Sequence, residues 1–410
     1  MKTQIPLFAL AIGSLAAESS SHYASDVKFL RQHTAVIELT DGDAAVALAP
    51  AFQGRVMTST TAGASGYSFG WLNQKVIAQG ILPETQTVGK LESHIYVFGG
   101  EERFWLGPEG GQFGIFFPPG ATFDFAHWKT PPPLDTEAFE VVSSSATHAE
   151  FKKNFAVANH SGTRFEVAVT RSVRLLPRSE VASLLGVPLT DSLKLVAYET
   201  TNRLTNRGAQ AWTAESGLLS VWLLGMYQPS PKTVVAIPIR QGAAAQLGPE
   251  VNDAYFGKVP AERLKLREGV LYFKGDGQQR GKIGIPPRRS LGVAGSYSGD
   301  SEALTLVLYT PPKEPLRYVN SAWEHQKDPF SGDVINSYND GSPAPGEAPL
   351  GPFYELETSS PAAALEPAAS LTHRQTTIHL TGDAGAMDAV ANKHLHTSLK
   401  LLKEVFTPGS

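Results

Sequence analysis

Apolar and polar residues alternate along many short segments of the chain, which is the pattern of half-buried β-strands. The alternation is clearest over residues 165–173, where Phe, Val and Val alternate with polar or small neighbours. Gly, Pro, Asn or Asp interrupts most of the intervals between such segments, as in β-sandwiches and β-barrels. The predicted strands cover residues 34–39, 44–48, 139–142, 165–173, 193–201, 218–224, 234–239, 270–273, 290–296, 304–309, 353–358 and 376–380. We therefore predict a mostly β protein.

Helical periodicity is rare in the chain. A short helix is expected from Ser179 to Leu185, ended by Gly186. The longer prediction is a C-terminal helix over residues 386–406, which carries an apolar stripe and ends before Pro408. No segment has the composition of an interdomain linker, so residues 18–410 are predicted to form a single β-sandwich domain that includes this helix.

The N-terminal residues have the pattern of an export signal. Lys2 precedes an apolar run over residues 5–17, and Ser14 and Ala16 supply the small residues of a cleavage site. We expect residues 1–17 to be a signal peptide and the mature protein to be secreted or periplasmic. No run is long enough to span a bilayer, so no membrane insertion is expected.

Composition excludes several classes of function. The 410 residues carry a net charge of −4 without a Lys/Arg block, so nucleic acid is not an expected partner. There are no cysteines, which excludes disulfides, thiolate metal sites and a cysteine nucleophile. Neither a cofactor nor a metal is predicted, and we expect a monomer.

The last third of the chain carries a recognisable strand order. Residues 353–361 read Phe-Tyr-Glu-Leu-Glu-Thr-Ser-Ser-Pro, residues 365–371 contain Glu366-Pro367-Ala368, and residues 373–380 form a final strand. This resembles the C-terminal end of galactose-mutarotase-like proteins, the aldose 1-epimerases and their relatives. Residues 195–208 are similar to a mid-chain strand and turn of the same superfamily. The resemblance implies a large antiparallel β-sandwich.

Three further motifs are similar to an uncharacterised family of exported bacterial proteins with that presumed fold. They are residues 69–73 (Phe-Gly-Trp-Leu-Asn), residues 99–113 and residues 336–341 (Asn-Ser-Tyr-Asn-Asp-Gly). That family brings no known reaction with it.

Glu357 is the first candidate for a functional role. The resemblance implies that it matches the glutamate that acts as general base in aldose 1-epimerases. Period-2 alternation puts Glu355 and Glu357 on one face of their strand, where two carboxylates raise each other's pKa. The alternative is an ordinary strand with one solvated face.

The glycine-rich residues 99–113 are the second candidate. Sugars are bound by aromatic stacking together with fixed polar groups, and this segment holds both. We expect substrate contacts from Arg103, Trp105, Glu109 and Gln112, and we expect Glu357 within about 10 Å of the segment. The alternative is a glycine-rich bend with an Arg–carboxylate pair and a core Trp.

The histidines leave the acid half of an epimerase mechanism unassigned. Epimerases carry an Asn-His strand motif and a second His that acts as general acid, and neither is recognisable here. His94, His127 and His325 are the nearest substitutes. His379 shares strand parity with His373 and is predicted to reach the substrate pocket, although a structural role is the alternative for each.

Residues 336–341 are predicted to form a surface turn, because Asn339-Asp340-Gly341 is a tight-turn sequence. Oxygen ligation of Ca²⁺ by the acidic and amide residues of 333–340 is the alternative, although EF-hand spacing is lacking. Gly66-Tyr67-Ser68-Phe69-Gly70 fits G-x-S-x-G, but the preceding residues are small and polar, so a serine hydrolase is not predicted.

Two functions from different classes follow. The first is an exported carbohydrate-active enzyme, epimerase-like, with Glu357 as general base. The second is a non-catalytic carbohydrate-binding protein that kept the sheet and lost the acid. A titratable pair in one cleft would favour the first, and an aromatic and amide lining without such a pair would favour the second. A structural protein of the envelope is a third class, for which the sequence gives no positive signal.

Overall fold

The computed structural model describes residues 22–343 and 346–407. The predicted signal peptide lies outside these residues. Strands dominate the described part. In chain order they are β1 (Ile37–Asp41), β2 (Ala44–Ala49), β3 (Arg55–Thr60), β4 (Arg103–Gly107), β5 (Glu140–Ser144), β6 (His148–Ala158), β7 (Arg164–Leu175), β8 (Lys194–Asn206), β9 (Ser220–Tyr227), β10 (Thr233–Pro238), β11 (Leu264–Arg267), β12 (Val270–Lys274), β13 (Gly281–Ile285), β14 (Val293–Ser298), β15 (Ala303–Tyr309), β16 (Ile335–Asn339), β17 (Tyr354–Ser359) and β18 (Ser370–Thr381).

Helices are short and lie before, between or after the strands. They are α1 (Tyr23–His33), α2 (Gln74–Gln79), α3 (Pro132–Asp135), α4 (Arg178–Leu185), α5 (Ala244–Leu247), α6 (Ala384–Val390) and α7 (Leu399–Glu404), with a π-helical turn at Ala391–Leu395. Within the described residues no helix has both the length and the apolar character needed to cross a bilayer.

The strands form three antiparallel sheets. A small sheet has the order β13-β16-β17-β9-β4, and a large sheet has the order β11-β12-β10-β14-β15-β18-β8-β7-β6-β5. Strands β1–β3 make a third sheet. Sequential neighbours pair in many places, but β17 inserts between β16 and β9, so strands far apart in sequence share the small sheet.

The small and large sheets pack face to face and form a sandwich. Phe104 on β4 and Leu223 on β9 share one buried apolar cluster with Val169 on β7 and Tyr198 on β8. Polar contacts also join the sheets, since Tyr354 on β17 is hydrogen-bonded through its hydroxyl to a serine of β14, with 2.8 Å between the oxygens. The predicted mostly β, antiparallel sandwich is confirmed.

The predicted C-terminal helix is helical but not continuous. It is divided into α6, the π-helical turn and α7, because His396 adopts a left-handed φ of 55°. The Ser398 hydroxyl then starts α7 by accepting a hydrogen bond from Leu401 N at 3.1 Å. Apolar residues of both helices pack on the outer side of the large sheet, against side chains of β10, β15 and β18.

The prediction of a surface turn at residues 336–341 is wrong. Residues 335–339 form β16, which pairs with β13 on one side and β17 on the other. The buried Asn339 amide is held there, since its Nδ2 donates to Gln279 O at 2.9 Å. Pairing on both edges therefore overrides the local turn preference of Asn-Asp-Gly.

Candidate functional site

The outer face of the small sheet carries the candidate site. Strand register places Arg103 opposite Leu224, Leu224 opposite Glu357, and Glu357 opposite Asn336. Paired residues of an antiparallel sheet point to the same side, so these side chains leave one face. Only β9 separates Arg103 from Glu357, which puts their backbones about 10 Å apart. The two polar clusters predicted from the sequence therefore meet on this face.

Glu357 is held by two donors, one from the adjacent strand β9 and one from β13, which lies beyond β16. Lys282 on β13 donates from Nζ to its Oε2 at 2.8 Å, and Trp222 on β9 donates from Nε1 to the same oxygen at 3.0 Å. The other oxygen, Oε1, is buried and has no hydrogen-bond partner among the described residues. One carboxylate oxygen is therefore fixed, while the second keeps its accepting capacity.

Lys282 is the central cation of the site. Burial by itself lowers the pKa of Lys282, but Glu357, Glu109 and Glu355 together raise the pKa above its ordinary value. The ammonium also lies 5.1 Å from the centre of the Trp222 ring and 5.5 Å from that of Tyr255. Lys282 is thus a permanently charged group that gathers the surrounding carboxylates.

Glu355 and Arg103 form a second ion pair on the same face. Arg103 Nη2 lies 3.2 Å from Glu355 Oε1, and both side chains are nearly buried. Burial raises the pKa of Glu355 and Glu357 adds to the rise, while Arg103 opposes it. The Arg103 guanidinium also covers the Trp105 ring, 4.0 Å from its centre. Trp105 therefore fixes the arginine.

Glu109 lies above the sheet in the segment after β4. Its Oε1 accepts a hydrogen bond from Trp128 Nε1 at 2.8 Å, and Trp323 is a further donor to this carboxyl. Burial raises the pKa of Glu109, and Lys282 opposes this rise. Ser321 Oγ also accepts from the Glu109 backbone amide at 3.1 Å. Glu109 therefore links the sheet to the loop that precedes β16.

A polar cavity of ≈ 80 Å³ adjoins these groups. Asp333 lines it, accepting hydrogen bonds from Asn252 Nδ2 at 3.2 Å and from the Tyr255 hydroxyl. Burial raises the pKa of Asp333 to about 6, against the opposing effect of its hydrogen bonds and of Lys282. The remaining lining comes from polar and small residues, namely Gly107, Ser220, Trp222, Lys282, Val319, Asn320, Ser321, Ser331, Gly332, Asn336 and Ser359.

Two residues predicted to contact substrate are used for structure. The Trp105 indole donates from Nε1 to Leu134 O at 3.1 Å, and Trp105 is buried against other aromatic rings. Gln112 binds the backbone of Gln326 with both ends of its amide, at 2.9 Å each. Gln112 therefore holds the loop before β16 in place over the sheet.

His379 does not lie on the site face. It is fully buried in the sandwich interior, where its Nε2 lies 3.1 Å from Glu101 Oε2 and its ring stacks on Phe69. Glu102 is also interior, since it pairs with Arg171 at 2.8 Å with neither side chain exposed. These residues reach inward because β18 presents His379 to the space between the sheets, and their place indicates a structural role.

Among the described residues, the other histidines make no hydrogen bond to the carboxyl groups of the site, which are Glu357, Glu355 and Glu109. His94 is bonded to Trp128 O at 2.6 Å, and His127 pairs with the exposed Asp124. The acid half of an epimerase mechanism therefore stays unassigned among the histidines.

A metal is also not indicated by the described residues, which contain no group of three or more His, Asp or Glu placed to hold an ion. The carboxylate of Asp340, one of the proposed Ca²⁺ ligands, has protein partners instead. Asp340 accepts hydrogen bonds from the Tyr338 hydroxyl at 2.7 Å and from Gly351 N at 2.8 Å.

Sequence reasoning missed three residues of the site, Lys282, Trp222 and Tyr255, and considered Asp333 only as a possible Ca²⁺ ligand. Lys282 lies in β13, whose five residues contain two glycines and give no clear alternation. Trp222 lies within an apolar run, which reads as buried core. Because β13 is not among the predicted strands, strand parity could not point to Lys282.

Comparison with known families gives a match over nearly the whole described chain. A family model described as "Family of unknown function (DUF6786)" matches residues 21–406. No curated protein matches the sequence.

Several solved structures are similar to this chain. An aldose 1-epimerase candidate from Escherichia coli K12 superimposes with a TM-score of 0.50 at 15% identity, covering 85% of this chain and 99% of that one. A Synechocystis sp. PCC 6803 protein, Slr1438, gives 0.47 at 13% identity, covering 85% and 96%. A galactose mutarotase-like protein from Lactobacillus casei ATCC 334 gives 0.46 at 12% identity, covering 84% and 100%. The first of these likenesses supports a galactose-mutarotase-like fold.

Proposed function

Because the chain belongs to the Family of unknown function (DUF6786), we propose its function from its own site: it binds a carbohydrate over the outer face of the small sheet. The observation that carries this proposal is the position of Glu357, paired with Lys282 and Trp222 beside a polar cavity. The resemblance of residues 353–361 to the epimerase strand supports the same location.

The chemistry of the cavity suits sugar hydroxyls. A hydroxyl both donates and accepts, so its site needs fixed groups of each kind. Lys282 and Asn252 supply donors, Asp333 supplies an acceptor, and the Trp222 ring supplies an apolar wall. Few apolar side chains line the cavity, so a purely hydrophobic ligand would leave these buried polar groups without partners.

Ligand entry requires movement of the loop over the site. The cavity of ≈ 80 Å³ is smaller than the roughly 300–1,000 Å³ typical of ligand pockets. Residues 319–321 and 331–333 form one wall, and the Gln112–Gln326 amide contacts hold the same loop. We propose that a sugar displaces this loop and occupies the space above Lys282.

Acid–base catalysis is a second candidate, favoured by the contrast between two carboxyl groups. Glu357 keeps one oxygen without a partner, while burial raises the pKa of Asp333 to about 6. In this reaction Glu357 takes the proton of the anomeric hydroxyl and Asp333 gives a proton to the ring oxygen. The ring C–O bond breaks as the carbonyl forms, and reclosure on the other face gives the second anomer.

Binding is tested by screening the purified protein on a glycan array, followed by calorimetric titration of each hit. Asp333→Asn should weaken binding at least about fivefold, because a buried hydrogen-bonding charge is lost. Asp300→Asn is the matched control, because Asp300 lies on the β14–β15 turn and forms an exposed ion pair with Lys232. Absence of binding to every glycan, or equal loss in both variants, contradicts the proposal.

Catalysis is tested on the sugars that bind. Polarimetry of a freshly dissolved single anomer should show faster mutarotation with the wild type than with Glu357→Gln or Asp333→Asn. If the wild type binds a sugar but does not accelerate its mutarotation, the binding function is supported and the catalytic function is rejected.

We further propose that the protein is exported, on the pattern of residues 1–17. A cleaved protein begins near Glu18 and works on a carbohydrate outside the cytoplasm.

A further inference from the structure

Three nearly parallel aromatic rings lie next to the proposed site. Trp128 is in the middle, with the centre of Phe125 at 6.0 Å and an interplanar angle of 16°, and the centre of Trp323 at 6.0 Å and 23°. We call Phe125, Trp128 and Trp323 the aromatic row. Trp128 is buried, whereas 51% of Phe125 and 37% of Trp323 is exposed. The row therefore presents two large rings to solvent.

Trp128 and Trp323 of the aromatic row are held by several contacts. Trp128 Nε1 donates to Glu109 at 2.8 Å, and the Trp128 carbonyl oxygen is bonded to the His94 ring at 2.6 Å. The Trp323 ring packs edge-on against Phe117 at 5.1 Å, and Gly110 leaves room for it, since a Cβ there would lie 2.8 Å from Trp323 Cδ1. Exposed rings held this firmly are poor candidates for incidental surface residues.

The row is continuous with the cavity. Glu109 bonds Trp128 and experiences the charges of Lys282 and Glu357. Ser321, which lines the cavity, accepts from the Glu109 backbone and lies two residues before Trp323. A ligand that fills the cavity therefore emerges beside the aromatic row.

We propose that the ligand is an oligosaccharide, with one terminal sugar in the cavity and the following sugars stacked on the aromatic row. This inference rests on the proposed carbohydrate function. The apolar C–H face of a pyranose is removed from water when it covers an aromatic ring. The two exposed rings of the row, Phe125 and Trp323, are the stacking positions that it offers to further sugars. A free monosaccharide would leave Phe125 and Trp323 without a role.

The test compares chain lengths. Wild type, Trp323→Ala and Phe125→Ala are titrated calorimetrically with each monosaccharide that the array identifies and with its linear disaccharide and tetrasaccharide. Leu184→Ala on α4 is the control, because Leu184 is 44% exposed but belongs to a different part of the fold. Phe125→Ala should leave the thermal midpoint within a few degrees, since 51% of Phe125 is exposed. Trp323→Ala also removes packing on Phe117, so its titrations are made well below its own thermal midpoint.

The expected result is that the wild type binds the tetrasaccharide more tightly than the monosaccharide. Trp323→Ala should weaken tetrasaccharide binding at least about fivefold and leave monosaccharide binding unchanged. Equal affinity for all lengths, or no effect of Trp323→Ala, overturns this inference while the proposed function stands. Failure of every sugar to bind overturns both. Binding of phosphatidylcholine vesicles that Trp323→Ala abolishes, without any sugar binding, would instead assign the row to a membrane surface.

Discussion

Glu357→Gln should destabilise the protein, because it leaves the Lys282 ammonium buried without its nearest counter-charge. The Lys282 side chain is 13% exposed and that of Glu357 is 0% exposed, with 2.8 Å between Nζ and Oε2. Removal of one partner of a buried ion pair costs about 3–5 kcal/mol. Glu109 and Glu355 also attract Lys282, so we expect a loss near the lower end, about 3 kcal/mol.

Substitution of Lys282 should lower the free energy of unfolding more than Glu357→Gln does. Lys282→Met removes the one cation common to Glu357, Glu109 and Glu355, so three acidic groups lose its attraction together. The double variant Lys282→Met/Glu357→Gln leaves neither charge of the pair, and it should be more stable than Lys282→Met alone. The two substitutions are therefore expected to be strongly non-additive, with a coupling free energy of about 2 kcal/mol or more.

The assay is urea-induced unfolding, followed by tryptophan fluorescence and far-ultraviolet circular dichroism for the wild type and the three variants. Coincident transitions are required before free energies are compared. A thermal shift of roughly 3–4 °C for Glu357→Gln is the simpler readout. Additive losses of unfolding free energy in the two single variants would contradict this expectation, and so would a loss below about 1 kcal/mol for Glu357→Gln. A buried ion pair of this geometry should be more strongly coupled than either result allows.

Three further expectations can be checked separately. Arg171→Met leaves Glu102 buried without its ion-pair partner, so it should cost about 3–5 kcal/mol and sharply reduce soluble yield, as measured by thermal unfolding; an unchanged midpoint would contradict this. The pKa of Asp333 is raised to about 6, so its contribution to stability is fully present below its unfolded pKa and is lost as pH rises through about 6. Between pH 4 and 8 the thermal midpoint should therefore fall less steeply for Asp333→Asn than for the wild type. If the two proteins lose the same number of degrees over this range, the pKa of Asp333 is not raised. Mass spectrometry of protein from its native host should find an N-terminus near Glu18, and an intact Met1 in the cytosol would rule out export.

The local sequence pattern was sufficient to predict an element where one face of that element is buried. The alternation at residues 165–173 predicted part of β7, and the apolar stripe at 386–406 predicted the C-terminal helical segment. Both predictions follow from periodicity, which a short window of sequence contains. Strands β13 and β16 were missed because glycine, asparagine and serine occupy them, and only their neighbours in the sheet stabilise them there.

The site divides in the same way. Strand parity alone predicts that Glu355 and Glu357 share a face. It could not determine which face the loops cover, or that Lys282, 75 positions away, reaches Glu357. Parity also could not tell that His379 points into the sandwich interior instead of the site. Sheet order decides these contacts, and sheet order is set by the packing of the whole chain, because β17 lies between β16 and β9 only after all three have paired.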